Sequence, residues 1–406
     1  MKKLLVIIGL SSLFSVILIA QGRSYNNPVI DKSTPDPTVI RAQDGSFYLY
    51  ATEDIRNCPI YKSDDLVNWT LQGTVFTNST RPTFEPNGGI WAPDINYVNG
   101  QYVMYYSMSV WGGEQTCGVG VATARIPGNN FHDRGKLFRS NEIGVQNSID
   151  PCYIEDNGKH YLFWGSFRGI YCVELTEDGL ALKNPSSPTK IQVAGTAFEA
   201  TYIHKRGDYY YLFASVGSCC EGLNSTYRLV VGRSKSILGP YVNREGKSML
   251  ENNFSMIIGN SMRFRGNGHC SQIIQDDRGF DWILFHGWDA ENEKNGRVVH
   301  LNQIKWDQYD WPYAEGGIPT TTSSKPFFNP TSTKNVTKNS SAIIYQRENK
   351  IYFDSCDAAS VDIFNIEGGL IKKFKNTNNF NVNMNSGIYI VKVNSGDECF
   401  SRKFIF

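Results

Sequence analysis

Five isolated polar residues recur along the first three quarters of the sequence. They are Asp36, Asp94, Asp150, Glu199 and His269, and successive members are 58, 56, 49 and 70 residues apart. Carboxyl groups that meet in one pocket can cleave a bond, because one gives a proton while another removes one. A single Asp-Pro pair, as at residues 36 and 150, would indicate only a turn. The recurrence of the Asp-Pro pair within a repeat favours acid/base chemistry.

An aromatic and β-branched segment follows each of these polar residues. The five segments are FYLYAT (47–52), YVMYYSMS (102–109), HYLFWGSF (160–167), YYYLFASV (209–216) and WILFHGW (282–288). A short turn that contains glycine precedes each segment, as Asp44-Gly45 and Asn99-Gly100 do, and such pairs suit hairpins that need positive φ. Five copies of this unit predict an all-β, five-bladed β-propeller whose inner strands start near a central channel.

The composition agrees with a β protein that does not bind phosphates. The chain has 406 residues, of which 13% are aromatic and 19% charged, a balance that favours strands and excludes a disordered or coiled-coil protein. Lys and Arg number 40 and Asp and Glu 39, so the net charge is +1. No excess of positive charge is available for a polyanion, and we expect no nucleic-acid partner.

The sequence predicts four consecutive parts. A positive start and an apolar run predict a signal peptide at 1–22, with an uncleaved membrane anchor as the alternative, and no later segment could span a membrane. The propeller is placed at 25–318 and a linker rich in Thr, Ser, Asn and Pro at 319–341. Alternating apolar and polar residues predict a small antiparallel β-sandwich at 342–406, in which Cys356 and Cys399 could form a disulfide.

Nine short segments stand in order along residues 28–318. They are TPDPTVI (34–40), WAPDI (91–95), YYSMSVWG (105–112), SIDP (148–151), GSFRGIY (165–171), FEATYI (198–203), CCEGLNSTYRLVVGRS (219–234), GNGHCS (266–271) and GRVVHLNQIKWDQYDWP (296–312). In this order they resemble glycoside hydrolase family 43, in particular its endo-α-1,5-L-arabinanase branch. VDIFNIEGGLIKKF (361–374) and SGIYIVKV (386–393) resemble the C-terminal sorting sandwich of secreted Bacteroidota proteins.

The resemblance implies roles for three carboxyl groups. Asp36 would be the general base that activates water, Glu199 the general acid, and Asp150 a third carboxylate that orients the acid and raises its pKa. The apolar neighbours Phe198 and Ala200 also favour a protonated Glu199. The family inverts configuration, which requires roughly 6.5–9.5 Å between base and acid for a water molecule.

The resemblance also implies four substrate-binding residues. Trp91 could stack on a sugar ring, although a buried Trp that closes a blade is the alternative. Arg297 could orient Asp36 or Glu199, although a surface Arg is the alternative. The other two expected substrate-binding residues are Asn147 and Ser166. The adjacent Cys219 and Cys220 are interpreted as local architecture near the cleft.

His269 matches a family position that binds calcium or a similar ion in the central channel. One imidazole is a poor primary ligand for a hard cation, which prefers oxygen, so such an ion would depend on water. The chemistry itself requires no cofactor.

The predicted enzyme is a monomer, secreted, periplasmic or at the bacterial cell surface, and acts on plant cell-wall arabinan. Many endo-acting relatives carry His where this chain has Pro35, which weakens the substrate assignment. One alternative is an exo-acting α-L-arabinofuranosidase or β-xylosidase. The other is a non-catalytic carbohydrate-binding propeller, which would have no need of an acid/base pair.

Overall fold

The computed structural model describes residues 24–328, 342–347, 350–366, 368–395 and 398–406. The predicted signal peptide and residues 329–341 of the predicted linker lie outside this part. Within it, no helix is long and apolar enough to cross a membrane.

Residues 38–313 form five antiparallel sheets that follow one another along the chain. Blade 1 contains β2 (Thr38–Arg41), β3 (Phe47–Tyr50), β4 (Pro59–Ser63) and β5 (Thr70–Thr74). Blade 2 contains β6 (Gly89–Val98), β7 (Gln101–Ser109), β8 (Gly118–Ala124) and β9 (His132–Arg139). Blade 3 contains β10 (Cys152–Asp156), β11 (Lys159–Trp164), β12 (Ile170–Leu175) and β13 (Ile191–Ala194).

Blade 4 contains β14 (Glu199–Arg206), β15 (Tyr209–Val216), β16 (Arg228–Ser234) and β17 (Ser255–Ile258). Blade 5 contains β18 (Phe264–Cys270), β19 (Ile274–Gln275), β20 (Asp281–Asp289), β21 (Arg297–Trp306) and β22 (Pro312–Tyr313). The connections include one α-helical turn, α1 (Ser140–Ile143), and 3₁₀ turns at Gly222–Asn224, Met249–Glu251, Glu293–Asn295 and Glu315–Gly317.

The five aromatic segments form the second strand of each blade, which is buried on both faces. In β15, Leu212 packs toward blade 3 whereas Phe213 packs toward blade 5. Both faces must then be apolar, which explains why these segments lack the polar alternation of a half-exposed strand. Each neighbouring pair of blades shares one hydrophobic cluster, and the fifth cluster joins Leu284 of blade 5 to Leu49 of blade 1. The ring is therefore closed.

Segments before and after the five sheets strengthen this closure. Strand β1 (Ser24–Asn26) pairs with β23 (Thr322–Ser324). The Tyr25 hydroxyl donates to the Leu301 carbonyl at 2.6 Å, and Phe328 packs 4.6 Å from Phe47 between ring centroids. The chain thus remains in contact with blades 1 and 5 as far as Phe328.

The backbone at or beside the recurring polar residues has an unusual conformation. Asp36, Asp150 and His269 have φ of 54°, 59° and 47°, and in the other two blades Ala92 and Ala200 have φ of 40° and 59°. Positive φ is uncommon for residues other than glycine and marks an enforced local geometry. Positive φ thus occurs at each recurring polar residue or within two residues of it.

The C-terminal part is a separate antiparallel unit. Its strands are β24 (Ala342–Arg347), β25 (Lys350–Asn365), β26 (Leu370–Asn383), β27 (Ile388–Ser395) and β28 (Glu398–Ile405). Strand β25 pairs along one edge with β26 and along the other first with β24 and then with β27, around a core that includes Val361 and Val391. The predicted fold, a five-bladed propeller followed by a small β-sandwich, is confirmed. The side chains of Cys356 and Cys399 lie outside the described part, so their disulfide stays a prediction.

Candidate active site

Four of the five recurring polar residues, each in or next to the inner strand of its blade, act on one another electrostatically. Asp36 and Glu199 both influence the protonation of Asp150, and all three carboxyl groups influence His269. Blades 1, 3, 4 and 5 each supply one of these residues. The propeller thereby brings together side chains that are distant in sequence.

Asp94, the fifth member, occupies a different setting in the channel. Its carboxylate accepts hydrogen bonds from Tyr153 N at 2.7 Å, Asn96 Nδ2 at 2.8 Å and Gln272 Nε2 at 2.8 Å. Burial raises the pKa of Asp94 to about 7, against the hydrogen bonds from Tyr153 and Asn96, which favour the ionised form. These neighbours are structural groups of the inner strands.

Asp36 is surrounded by groups that favour its ionised form. Its Oδ1 lies 3.1 Å from Arg297 Nη1 and 3.3 Å from His269 Nδ1, while Oδ2 accepts a 2.6 Å hydrogen bond from Thr52 Oγ1. Burial would raise the pKa of Asp36, but Arg297 and His269 outweigh it and hold that pKa well below its ordinary value. The group is a carboxylate, as a general base must be.

His286 supports Asp36 as a neutral ring. Its Nδ1 accepts the Asp36 backbone N–H at 3.0 Å and lies 3.1 Å from Asp36 Oδ1. Burial lowers the pKa of His286 to about 4, so the ring is neutral, and acceptance of the Asp36 N–H requires the tautomer whose single proton is on Nε2. The imidazole therefore fixes the Asp36 backbone without adding positive charge.

Glu199 has an environment of the opposite kind. Burial raises its pKa, and the negative charge of Asp36 acts in the same direction. Hydrogen bonds from Ser166 and Tyr227 act against this shift, and the bond from Ser166 Oγ to Glu199 Oε2 is 2.6 Å long. Asn147 Nδ2 in turn donates to Ser166 Oγ at 3.0 Å. Glu199 thus holds a proton to higher pH while its position is defined by donors.

Asp150 lies against the backbone that carries Glu199. Its Oδ2 accepts the Ala200 N–H at 3.1 Å, and its own N–H donates to Ser107 Oγ at 2.9 Å. Burial raises the pKa of Asp150 to about 7, with Glu199 and Asp36 adding to the shift and His269 opposing it. Ionisation of Asp150 and ionisation of Glu199 therefore oppose each other.

His269 carries charge more readily than an isolated imidazole. Burial disfavours the imidazolium, but the carboxylates of Asp36, Asp150 and Glu199 outweigh burial and raise the pKa of His269. A cavity of about 20 Å³ lies beside it and is also bordered by Asp94 and Gln272. That volume is close to the space one water molecule needs.

The side chains around His269 offer few direct ligands for an ion. No group of three or more His, Cys, Asp or Glu side chains within the described ranges could hold a metal directly. His269 Nδ1 lies next to Asp36, which leaves Nε2 for another ligand. The oxygens of Asp94, Thr201 and Gln272 border the same cavity, and oxygen suits a hard cation.

Trp91 lies beside a second indole, that of Trp111, which belongs to the segment YYSMSVWG (105–112) but was not predicted as a site residue. The ring centroids of Trp91 and Trp111 are 5.5 Å apart. Trp91 is partly buried, whereas Trp111 is 80% exposed. The pair places an aromatic surface at the loop after β7, where it could meet the apolar face of a sugar.

The loop after β15 contains the adjacent cysteines. Cys219 and Cys220 form a disulfide, and the Cys219 carbonyl accepts a hydrogen bond from Trp288 Nε1 at 2.8 Å. The Thr226 and Tyr227 N–H groups both donate to the Ser218 carbonyl and close the loop. This loop leads directly to Tyr227, which meets Glu199.

Among the predicted site residues, Asp36 contacts Arg297 and His269, and Ser166 contacts both Glu199 and Asn147. Asp150 accepts the N–H of Ala200, next to Glu199, and the two groups of contacts act on each other electrostatically. Trp91 contacts Trp111 instead. Sequence reasoning missed three of their partners, Thr52, Tyr227 and His286. His286 is the histidine within an otherwise apolar aromatic segment, and Tyr227 ends the STY triplet after the adjacent cysteines. Both signals were present, but each is also typical of ordinary core residues.

Comparisons with known proteins place this arrangement in a family context. Residues 25–312 match the profile described as Glycosyl hydrolases family 43, and residues 346–406 match the one described as Secretion system C-terminal sorting domain. The extracellular endo-α-(1→5)-L-arabinanase 1 of Bacillus subtilis is 35% identical over 289 residues, which cover 68% of this chain and 86% of that protein.

The extracellular exo-α-(1→5)-L-arabinofuranosidase of Cellvibrio japonicus is 33% identical over 309 residues, which cover 69% of this chain and 86% of that protein. Among solved structures, the α-L-arabinanase of Cellvibrio cellulosa complexed with arabinohexaose has a TM-score of 0.63 at 31% identity. That match covers 71% of this chain and 98% of the other.

Proposed function

The chain belongs to glycosyl hydrolases family 43, and from this premise we propose that it is an inverting hydrolase of α-L-arabinofuranosyl linkages, with arabinan as substrate and endo action on the backbone. It is a glycoside hydrolase and a secreted or cell-surface bacterial protein, because its C-terminal residues match a secretion sorting domain and the relatives it matches are extracellular.

One observation carries the assignment of roles: Asp36 and Glu199 have pKa values displaced in opposite directions. A site that contains an ionised carboxylate and a protonated carboxylic acid holds a base and an acid at the same pH. We assign Asp36 as the base and Glu199 as the acid. The pKa values of Asp150 and Asp94 are raised as well, so the choice of Glu199 among the protonated groups follows from the family resemblance. Asp150 positions the acid through the Ala200 backbone.

The proposed reaction is a single displacement. Asp36 removes a proton from a water molecule, whose oxygen attacks the anomeric carbon of the arabinofuranosyl ring. The glycosidic C–O bond breaks on the opposite face, and Glu199 gives its proton to the departing oxygen. The product has inverted configuration, and proton exchange with solvent restores both carboxyl groups.

Arginine and aromatic groups complete the proposed site. Arg297 keeps Asp36 ionised by direct contact, as the 3.1 Å separation supports. Trp91, together with the exposed Trp111, is proposed to stack on sugar rings of the chain. Asn147 and Ser166 stay predicted as substrate-binding residues, and their hydrogen bonds toward Glu199 place them beside the proposed acid.

Exo action is the second candidate, because one matched relative is named as an exo-acting α-(1→5)-L-arabinofuranosidase. Pro35, where many endo-acting relatives carry His, is compatible with this candidate. The distinction depends on the loops at the two ends of the cleft, since a blocked end admits only a chain terminus.

Product analysis tests the proposal. The enzyme and its Glu199→Gln variant are incubated with linear debranched arabinan, arabinoxylan, nitrophenyl arabinofuranoside and nitrophenyl xyloside, and the anomer formed first is read by NMR. We expect a ladder of arabino-oligosaccharides of inverted configuration that the variant does not produce. Monosaccharide alone would support exo action, and glycan binding without turnover by a folded enzyme would support the binding module.

We also propose that His269 contributes to a Ca²⁺ site completed by water. Binding requires the neutral form of His269, so a bound ion would replace the imidazolium as the positive charge near the carboxylates, and no chemical step depends on it. Calorimetric titration with Ca²⁺ and the melting temperature with and without chelator test this site. We expect binding and stabilisation in the wild type and in His132→Ala, which changes an exposed histidine, and neither in His269→Ala. Equal binding by both variants would exclude this site.

A further inference from the structure

Two buried aromatic rings connect the proposed acid to the proposed base. We propose that Tyr227 and His286 form a positioning bridge that fixes Glu199 relative to Asp36 across the reacting bond. This inference rests on the proposed function, and it adds two residues to which that function assigns no role.

The two rings form a parallel stack. Their centroids are 5.6 Å apart and their planes differ by 10°. Tyr227 is 1% exposed and His286 is 0% exposed, so both rings are enclosed by the protein. A close-packed pair of this kind transmits the position of one ring to the other.

The bridge ends at the two reacting groups. The Tyr227 hydroxyl approaches Glu199 as a hydrogen-bond donor, because its proton is retained well above the ordinary pKa range of tyrosine. At the other end, His286 Nδ1 accepts the Asp36 N–H at 3.0 Å. Movement of either ring would therefore change the separation of acid and base.

The backbone around the bridge leaves little freedom. A Cβ atom on Gly268 would lie 2.4 Å from Tyr227 Cδ1, so the tyrosine ring occupies the space that a side chain would need. His286 lies in β20, opposite Gly268 on one side and Val299 on the other. The Tyr227 N–H donates to the Ser218 carbonyl at 3.0 Å. The positions of both rings are therefore fixed by the strands and the loop around them.

Neither ring is suited to exchange protons during turnover. The pKa of His286 is about 4 and that of Tyr227 is far above neutrality, in both cases chiefly because of burial. Both rings stay neutral across the working range. Their contribution is accordingly positional, and its absence should change kcat more than KM because the ground-state sugar contacts lie elsewhere.

The pH profile separates this role from general packing. Glu199 is influenced by Asp36, Asp150 and His269, and it accepts hydrogen bonds from Ser166 and Tyr227. Tyr227 is a donor that favours the ionised form of Glu199. Its removal should therefore shift the basic limb of kcat/KM to higher pH, whereas a purely structural loss would lower activity without moving this limb.

The experiment compares Tyr227→Phe with Tyr210→Phe. Tyr210 is also a buried tyrosine of blade 4, and its hydroxyl donates to Asp156 Oδ1 at 2.7 Å, on a strand end remote from the proposed acid. On linear arabinan, we expect Tyr227→Phe to lower kcat about tenfold, the effect of one lost hydrogen bond, with KM within about twofold. Its basic limb should move upward, and Tyr210→Phe should match the wild type.

The histidine is tested by a pair of variants. His286→Gln keeps an acceptor for the Asp36 N–H, whereas His286→Ala removes both acceptor and ring. We expect a smaller loss of kcat in the Gln variant than in the Ala variant, at melting temperatures that show both to be folded. Equal losses would overturn the part of the bridge assigned to His286.

The outcomes also distinguish the bridge from the proposed function. Turnover by the wild type together with an unchanged kcat and basic limb in Tyr227→Phe would overturn the bridge alone. An equal effect in Tyr210→Phe would do the same, since the loss would then be general. Absence of turnover by the wild type on every arabinofuranoside would overturn the proposed function and, with it, the bridge.

Discussion

Arg297 Nη1 lies 3.1 Å from Asp36 Oδ1, and this contact is the leading cause of ionisation at the proposed base. Arg297→Met removes the charge and keeps much of the apolar stem. The pKa of Asp36 should rise, because burial then has less opposition, and the acid limb of kcat/KM should move to higher pH.

The control for this prediction is Arg41→Met, which removes a more exposed partner of Asp277 at 2.9 Å. A pH series of kcat/KM on a nitrophenyl substrate measures both variants. The wild-type limb should lie below pH 3.8, the ordinary pKa of Asp, and only Arg297→Met should move it. If the acid limb of Arg297→Met does not move, Arg297 does not control the ionisation of Asp36.

Glu199→Gln should show that the acid matters most for poor leaving groups. Loss of a positioned general acid typically costs about 10²–10⁴ in rate, and the cost shrinks when the leaving oxygen needs no proton. We expect this loss on arabinan and a much smaller one on dinitrophenyl arabinofuranoside. Equal losses on both substrates would indicate that Glu199 does not protonate the leaving group.

The sequence predicted the blades because their central strands are buried on both faces. An uninterrupted aromatic segment such as 209–216 is typical of such a strand, and the five polar residues recur at the matching end of each repeat. The partners of the carboxyl groups were harder to predict. In the sequence, His286 and Tyr227 look like ordinary core residues. Only the folded propeller shows that their side chains stack on each other.

The backbone at the inner strands shows a second limit. Positive φ occurs at Asp36 and Asp150 themselves, but at Ala200 beside Glu199. The offset is set by bulges in strand pairing, as between Glu199 and Tyr202, and no residue type in the sequence marks it. The polar position could therefore be predicted, but the orientation of each carboxyl group could not.

Asp150→Asn should move the pH profile in the opposite direction to Tyr227→Phe. Asn keeps an oxygen that can accept the Ala200 N–H, so the fold should persist. Where Asp150 is ionised, its charge opposes ionisation of Glu199, so the loss of that charge should lower the pKa of Glu199 and shift the basic limb of kcat/KM to lower pH. Kinetics from pH 4 to 9 would measure this shift, with unchanged circular dichroism as the control. A shift upward would contradict the proposed influence of Asp150 on the acid.

A reducing agent should lower activity through the adjacent cysteines. Cys219 is partly exposed and Cys220 exposed, whereas the free cysteines within the described residues are all buried. Reduction would loosen the loop that ends at Tyr227, and we expect a fall in kcat of up to roughly tenfold. Assays with and without tris(2-carboxyethyl)phosphine measure the effect. The double variant Cys219→Ala/Cys220→Ala should show the lowered kcat already and no further response, and a response in that variant would indicate another target.

Asn27 should contribute to stability without affecting chemistry, because it joins the first residues of the propeller to blade 5. Its side chain donates to the Leu301 carbonyl at 2.9 Å and to the Thr320 carbonyl at 2.8 Å, and accepts the Leu301 N–H at 2.9 Å. Asn27 is 2% exposed, so Asn27→Ala leaves a buried N–H without its acceptor. The free energy of unfolding should fall by about 1–3 kcal/mol, measured by urea denaturation.

Asn26→Ala, which loses only an exposed contact with Thr322, should lower the free energy of unfolding by less than about 1 kcal/mol. Equal losses would mean that the buried pairing with Leu301 does not hold the ring closed.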